Sequence, residues 1–150
     1  PPMNLTTPHF GTIPIEKNGI ITFPGGIPGF ENCRRFVLLQ RPQEAPVVWL
    51  QGVDNPELAF ALAEPRHFLT SYNPHFPAEE LAPLQLGPTD KALLYNILVL
   101  SPQMEKITAN LQAPLVINRE KRLGHQAFLG DEWPRKYYLF PPDRKKAAND

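Results

Sequence analysis

Proline constrains this chain more than any other residue. Nineteen of its 150 residues are proline, and they are scattered without a period. Because a proline inside a helix removes a backbone hydrogen bond and clashes with the preceding turn, frequent prolines favour short elements joined by turns. The missing three-residue glycine period excludes a collagen helix. The chain is therefore predicted to be mainly β, a compact antiparallel barrel-like fold with one or two short helices.

Short apolar stretches with a two-residue period predict the strands. Strands are expected at residues 36–40, 47–53, 58–63 and 92–100. In residues 58–63, large apolar residues alternate with alanine, so this strand should present one large face and one small face. The nearly continuous apolar run at 92–100 predicts a strand buried on both faces, in which Asn96 needs a hydrogen-bond partner.

Three further β features follow from turn chemistry and alternation. Asn18-Gly19 stands between β-branched residues and predicts a two-residue hairpin turn within residues 13–23. Residues 107–117 alternate apolar and polar side chains, which predicts a strand with one face in the core. The charged loop 119–122, which precedes the apolar stretch 123–129, predicts a hairpin with a basic tip.

The remaining segments predict turns, one helix and a tail. Residues 23–30 read FPGGIPGF, which predicts a fixed turning path between Phe23 and Phe30, both expected to be buried. Residues 77–81 predict a short helix, because proline suits its first position and glutamates suit its first turn. We expect a single barrel-like domain over residues 1–140 and a flexible charged C-terminal tail over residues 141–150.

Charge and hydropathy favour a protein that binds other proteins in the cytoplasm. Fifteen basic and fifteen acidic residues cancel, whereas proteins that neutralise many phosphates usually carry a clear basic excess. No apolar run approaches the 18 or so residues that cross a bilayer, and the first ten residues do not resemble a secretory leader. We therefore expect protein partners, no membrane contact and no direct contact with nucleic acid.

The sequence shows no pattern typical of a catalytic or metal site. The four histidines match no zinc spacing, and the phosphate-binding and nucleophile motifs are missing, so we expect no catalytic residue, metal or cofactor. The single cysteine, Cys33, is expected to be a plain reduced thiol. Two alternatives stay open: nucleic-acid binding through the Arg119–Arg122 basic hairpin, and a hydrolase that uses His125 with a distant acid.

Three segments together resemble the flagellar assembly factor family, FliW. The first is FPGGIPGF at residues 23–30, and the second is WLQGVDNP at 49–56 followed by LAF at 58–60. The third is TANLQAPLVIN at 108–118, followed by Gly124 and Gln126. The order and spacing of the three segments match as well, over roughly residues 3 to 139. Trp133 and Lys136 depart from the family pattern, where we expect Tyr and Arg.

The resemblance implies a β-barrel-like fold that acts by binding and not as an enzyme. In such families the factor binds the carbon storage regulator CsrA, a translational repressor that binds RNA, and so releases flagellin messenger RNA. Unsecreted flagellin binds the factor instead and frees the repressor, which is a mass-action switch. The resemblance thus implies CsrA and flagellin as partners, and we expect the protein itself to be a cytoplasmic monomer.

A partner surface can be predicted from charge. An RNA-binding repressor is basic, so acidic residues beside aromatic ones would attract and anchor it. We predict that this surface contains Asp54, Tyr72, Phe76, Glu79 and Glu80. The alternative is that the aromatic residues only cap the core and the glutamates only solvate a helix. For flagellin, a helix laid in an apolar groove is predicted, but the sequence does not locate the groove.

Overall fold

The computed structural model of the protein describes residues 3–142 and consists mainly of short strands. Within this range the strands are β1 (Met3–Thr7), β2 (Gly11–Ile15), β3 (Ile21–Thr22), β4 (Arg35–Gln40), β5 (Val48–Gly52), β6 (Ala59–Ala63), β7 (Ala92–Val99), β8 (Thr108–Ala109), β9 (Leu115–Asn118), β10 (Leu123–Gln126) and β11 (Tyr137–Tyr138). The same range contains the short α-helix α1 (Ala78–Leu81). Single turns of 3-10 helix lie at Lys17–Gly19, Pro42–Glu44, Pro65–His67, Ala82–Leu84 and Met104–Lys106.

Seven of the described strands close into a barrel. Neighbouring strands follow the order β7, β6, β5, β4, β3, β10, β9, and β9 then pairs with β7 to complete the ring. All these pairs are antiparallel except β3 with β10, which run parallel where Leu123 faces Thr22. Strands β8 and β11 extend the sheet beyond β7, and β1 with β2 form a separate hairpin. The predicted mainly β, barrel-like fold is confirmed.

The barrel is filled by large apolar side chains from nearly every strand around it. Its fully buried members include Ile21, Phe23, Phe36, Leu50, Leu62, Leu115 and Ile117. Phe23 and Phe36 pack edge to face, with ring centres 5.2 Å apart. At about 25 cal/mol per Å² of apolar surface removed from water, this core is the main favourable contribution to folding.

Two smaller clusters lie outside the barrel. The first contains Ala61, Ala63, Leu98, Leu111 and Tyr137, and it is covered by residues 68–72. The second is formed by Leu84, Val116 and Ala127. It packs against Phe76, which precedes α1, and Leu81, which is the last residue of α1. The two predicted faces of β6 therefore exist: Leu62 enters the barrel, while Ala61 and Ala63 face the outer cluster.

The hairpin predicted at Asn18-Gly19 is wrong. These residues belong to a turn of 3-10 helix, and β2 pairs with β1 instead of with β3. Strand β3 pairs with β4 and β10, which lie further along the chain. Pairing with distant strands has therefore overridden the local turn preference.

The strand predicted over residues 107–117 is interrupted. Only Thr108–Ala109 and Leu115–Asn118 are strand, because the side-chain oxygen of Asn110 accepts hydrogen bonds from the N–H groups of Gln112 and Ala113, 3.0 Å away. This local bonding competes with the strand ladder and turns the chain.

Other predictions have mixed outcomes. Phe23 is fully buried as predicted, but Phe30 is 45% exposed and packs edge to face on Phe60. The hairpin with its tip at residues 119–122 is confirmed by the pairing of β9 with β10. Asn96 finds a partner, since its amide group donates to the Asn110 carbonyl at 2.9 Å. Of the predicted charged tail, residues 143–150 lie outside the described residues.

Candidate functional site

An open apolar groove lies on the outside of the barrel. Its volume is about 540 Å³, and its surface is mainly apolar. It is lined by Pro46, Val47, Ala63, His67, Phe68, Leu69, Thr70, Ser71, Leu98, Leu100, Ile107, Tyr137, Leu139 and Phe140. The size falls in the range of ligand and peptide sites in proteins.

The groove exists because β6 presents alanine on its outer face. Ala63 forms part of the lining, and the segment from Phe68 to Ser71 stands beside it as a wall. A larger side chain at position 63 would fill this space, whereas Leu62 on the opposite face is fully buried in the barrel. The alternation of large and small residues in the sequence thus produces both a packed barrel and a recess outside it.

Exposed apolar side chains border the groove. Leu100 and Phe140 line it and are 46% and 48% exposed, and Val99, Met104 and Tyr138 are exposed in the same segments. The prediction that residues 92–100 are buried on both faces is therefore wrong at both ends of the run, where Ala92, Val99 and Leu100 are exposed. Exposed apolar side chains such as Leu100 and Phe140 beside an open groove are typical of an interaction surface.

Tyr72 helps to hold the wall of the groove. Its hydroxyl donates to the Leu111 carbonyl at 2.6 Å, and its ring packs edge to face on Trp133, 4.7 Å away. Burial raises the pKa of Tyr72 to about 12, so the hydroxyl remains a hydrogen-bond donor. Tyr72 therefore has a structural role in the outer cluster.

Phe76, Glu79 and Glu80 lie together at α1. Phe76 packs on the cluster beneath the helix, and Glu79 is exposed. Glu80 is held by hydrogen bonds. Its carboxylate accepts a hydrogen bond from the Phe128 N–H at 2.7 Å and lies 3.3 Å from the His125 ring nitrogen. The adjacent glutamates thus differ, because Glu80 joins α1 to β10 while Glu79 makes no hydrogen bond or ion pair to the described part of the chain.

Asp54 lies in the turn between β5 and β6. Its carboxylate accepts the backbone N–H groups of Arg34 and Arg35 at 2.9 Å and the Arg35 side-chain Nε at 2.8 Å. Burial by itself would raise the pKa of Asp54, but these hydrogen bonds hold it below its ordinary value. Asp54 therefore fixes the start of β4, and its contacts include none of the other four predicted site residues.

The basic tip at residues 119–122 is largely engaged within the protein. Lys121 lies 3.0 Å from the Asp90 carboxylate, and Arg122 donates to the Gly19 carbonyl at 2.9 Å. Arg119 is exposed. Two of the three cations that could contact phosphate are thus already paired, which weakens the nucleic-acid alternative.

Other candidate chemistry has little support in the described residues. Burial raises the pKa of the Cys33 thiol, which is the opposite of activation. In residues 3–142 there is no group of three or more His, Cys, Asp or Glu side chains able to hold a metal ion. No helix in that same range has the length and apolar character needed to cross a membrane. His125 has an acid beside it, Glu80, but that acid also caps a backbone N–H.

The barrel and the groove define the class of the protein. It is a small closed β-barrel whose interior is filled by side chains and which carries an open apolar groove outside the barrel, beside β6 and β11. The profile of the FliW protein family matches residues 4–139. The chain belongs to the FliW family of flagellar assembly factors, a family of assembly factors and not a known family of enzymes.

Individual relatives agree with this assignment over nearly the whole chain. The flagellar assembly factor FliW of Thermoanaerobacter pseudethanolicus is 36% identical and covers 98% of this chain and 99% of its own. That of Geobacillus sp. strain WCH70 is 39% identical, with 93% and 96% covered. A crystal structure of the flagellar assembly factor FliW superimposes with a TM-score of 0.85 at 38% identity, covering 97% of this chain and all of that chain.

Proposed function

We propose that this protein controls flagellin production by binding two partners in turn. It binds the translational repressor CsrA and so relieves repression of flagellin messenger RNA, and it binds flagellin, which returns CsrA to its target. The proposal rests on membership of the FliW family together with the apolar groove, which supplies a surface for a protein segment. It needs no catalysis, metal or cofactor, and it assigns the protein to the cytoplasm as a monomer.

The groove is the proposed site for flagellin. A helix with one apolar face would bury that face against Phe68, Leu100 and Phe140. Two of these side chains are about half exposed, so covering them removes apolar surface from water.

The surface at α1 is the proposed site for CsrA. Glu79 is its best candidate for contact with a basic partner, because its carboxylate is exposed and has no partner among the described residues. Phe76 and Glu80 position this surface through the cluster beneath the helix and the bond to Phe128. Asp54 and Tyr72 complete the predicted set, and we propose that they act by shaping the neighbouring loops.

The switch itself follows from mass action. If CsrA and flagellin exclude each other, then each molecule of flagellin that accumulates lowers the concentration of factor available to CsrA. If the two sites are separate, as proposed, exclusion requires that each partner lowers the affinity of the factor for the other by the same ratio.

Calorimetry tests the proposal directly. The protein is titrated at two salt concentrations with CsrA and with flagellin from the same organism, first alone and then in competition. Saturable binding to each partner, with flagellin displacing CsrA, is the expected result. If the protein formed a complex with neither partner, the proposed function would be refuted, and only the fold and the family would remain.

Paired variants test the two sites. Phe140→Ala should weaken flagellin binding at least several-fold, and Phe128→Ala is the matched control, because Phe128 is equally exposed at 53% and lies outside the groove. Glu79→Lys should weaken CsrA binding and reduce its salt dependence while leaving flagellin binding unchanged. Equal effects of the two phenylalanine variants on flagellin would remove the groove from the proposal.

A further inference from the structure

Phe128 carries an exposed aromatic side chain just beyond the end of β10. The residue is 53% exposed, whereas its two neighbours, Ala127 and Leu129, are buried. The N–H groups of these neighbours donate to the carbonyls of Pro114 and Gln112, at 2.9 and 2.8 Å. Both bonds continue the antiparallel pairing of β10 with β9 in the same register. Since side chains alternate sides along such a segment, burial of both neighbours turns Phe128 toward solvent.

The backbone of Phe128 is also held from the side of α1. Its N–H donates to the Glu80 carboxylate at 2.7 Å, so the three successive N–H groups at 127–129 are all hydrogen-bonded. The aromatic ring therefore projects from a backbone that is fixed before any partner arrives. Covering such a side chain loses less conformational entropy than covering one on a loose loop, which favours affinity.

The acids near this ring are not paired with Lys or Arg. Glu80 contacts the Phe128 backbone, and Glu79, the preceding residue of α1, is exposed. Asp131 is also exposed, and three residues of chain keep its backbone within about 11 Å of that of Phe128. Within residues 3–142, none of the hydrogen bonds or ion pairs of these three acids involves a Lys or Arg. Negative charge therefore borders the ring, which complements a basic partner and repels an acidic one.

We propose that Phe128 is the apolar anchor by which the surface at α1 binds a basic protein partner. The partner covers the ring with an apolar recess, and Lys or Arg side chains around that recess face Glu79 and Asp131. Aromatic side chains at the centre of an interface, surrounded by polar contacts, are typical of binding hot spots. This inference rests on the proposed binding of CsrA at α1, and it adds a contact residue outside the set predicted from the sequence.

Glu80 is then a positioning residue for the anchor. Its carboxylate holds the Phe128 N–H, so Glu80→Ala should loosen the segment, whereas Glu80→Gln keeps an oxygen acceptor and removes only the charge. Glu80→Ala should therefore weaken CsrA binding more than Glu80→Gln does. In a Phe128→Ala background the loss caused by Glu80→Ala should be smaller than in the wild type, because the ring that it positions is gone.

The test titrates the whole protein with CsrA from the same organism, by calorimetry at low and high salt. Phe128→Ala should weaken CsrA binding about 10- to 30-fold at both salt concentrations, because salt does not screen an apolar contact. The effect of Glu79→Lys should instead shrink as salt is added. Phe140→Ala is the matched control, since Phe140 is 48% exposed and lies in the groove proposed for flagellin. It should leave CsrA binding unchanged.

Two further measurements separate an anchor from a general effect on the fold. Phe128→Tyr, which keeps the ring, should retain CsrA affinity within about two-fold, and Phe128→Ala should leave flagellin binding unchanged. Wild-type affinity of Phe128→Ala for CsrA would overturn the anchor and leave the binding of CsrA intact. Equal weakening of CsrA and flagellin binding by Phe128→Ala would also overturn it. If the wild type does not bind CsrA, the proposed function fails together with the anchor.

Discussion

The close approach of the Gly124 backbone to the ring of Phe23 makes a sharp prediction. This residue lies on β10 opposite Ile117, directly over the ring of Phe23. A Cβ atom at Gly124 would lie 2.5 Å from Cζ, 2.6 Å from Cε1 and 2.9 Å from Cε2 of that ring. Because real Cβ atoms do not approach carbon this closely, Gly124→Ala forces the ring or the strand to move.

The ring has little room to move. Phe23 is fully buried, packs edge to face on Phe36, and its backbone N–H donates to the Arg34 carbonyl at 2.7 Å. Overpacking a closed core costs about 1–3 kcal/mol, and three short contacts place Gly124→Ala near the upper end. For a chain of this length, each kcal/mol lowers the melting temperature by about 2–4 °C, so a loss of roughly 6–12 °C is expected.

Urea unfolding followed by tryptophan fluorescence measures this loss as a change in midpoint. Gly25→Ala is the matched control, because a Cβ atom there meets no other atom within 4 Å. It should leave the free energy of unfolding unchanged or raise it by up to about 1 kcal/mol. Phe23→Leu removes the ring atoms that obstruct a Cβ atom at Gly124. The double variant should therefore lose less free energy of unfolding than the sum of the two single losses. A midpoint for Gly124→Ala equal to that of the wild type, or strict additivity with Phe23→Leu, would refute the packing argument.

Three other predictions concern charged groups. Hydrogen bonds from the Gly87 N–H, Asn118 and Lys121 lower the pKa of Asp90 to about 2. Its contribution to stability is therefore complete above about pH 4 and is lost as the pH falls toward 2. Urea unfolding at a series of pH values should show that the free energy of unfolding of Asp90→Asn falls less steeply below about pH 4 than that of the wild type. Glu80→Ala should lower the free energy of unfolding by about 1 kcal/mol by removing the acceptor of the Phe128 N–H, whereas Glu79→Ala should change it by less than about 0.5 kcal/mol, and equal effects would contradict this assignment. Asp54→Ala should lower stability by about 1–3 kcal/mol because two backbone N–H groups lose their acceptor, and an unchanged urea midpoint would show that water replaces it.

The elements that the sequence predicts well are those whose pattern and environment agree. Residues 58–63 form a strand because alternation of large and small side chains suits both the barrel interior and the outer cluster. The turn at 119–122 also forms as predicted, since both of its strands pair with each other. At Asn18-Gly19 the same kind of local signal fails, because β3 gains more by pairing with β4 and β10 than it would with β2.

The candidate site was harder to predict than the fold. Leu100 and Phe140 are apolar, and apolar residues at the ends of strands are normally assigned to the core. Both directly precede segments that contain proline, Ser101-Pro102 and Pro141-Pro142. These prolines are the sequence signal that the chain leaves the sheet at these two points. The five predicted partner residues were chosen by type, yet Asp54 and Tyr72 are committed to internal hydrogen bonds. Which acids stay free depends on neighbours that are distant in the sequence.

The parallel contact between β3 and β10 has a consequence for how the protein comes into being. It joins Thr22 to Leu123, which lies 101 positions later, and the Arg122 side chain donates a hydrogen bond to the Gly19 carbonyl across the same seam. The ring stays open until residues near position 126 are available, so a shortened chain ending before β10 should lack a sealed interior. Such long-range closure is slow compared with helix formation. The barrel can therefore close only after β10 has been made, and the groove outside it needs residues as far along the chain as Phe140.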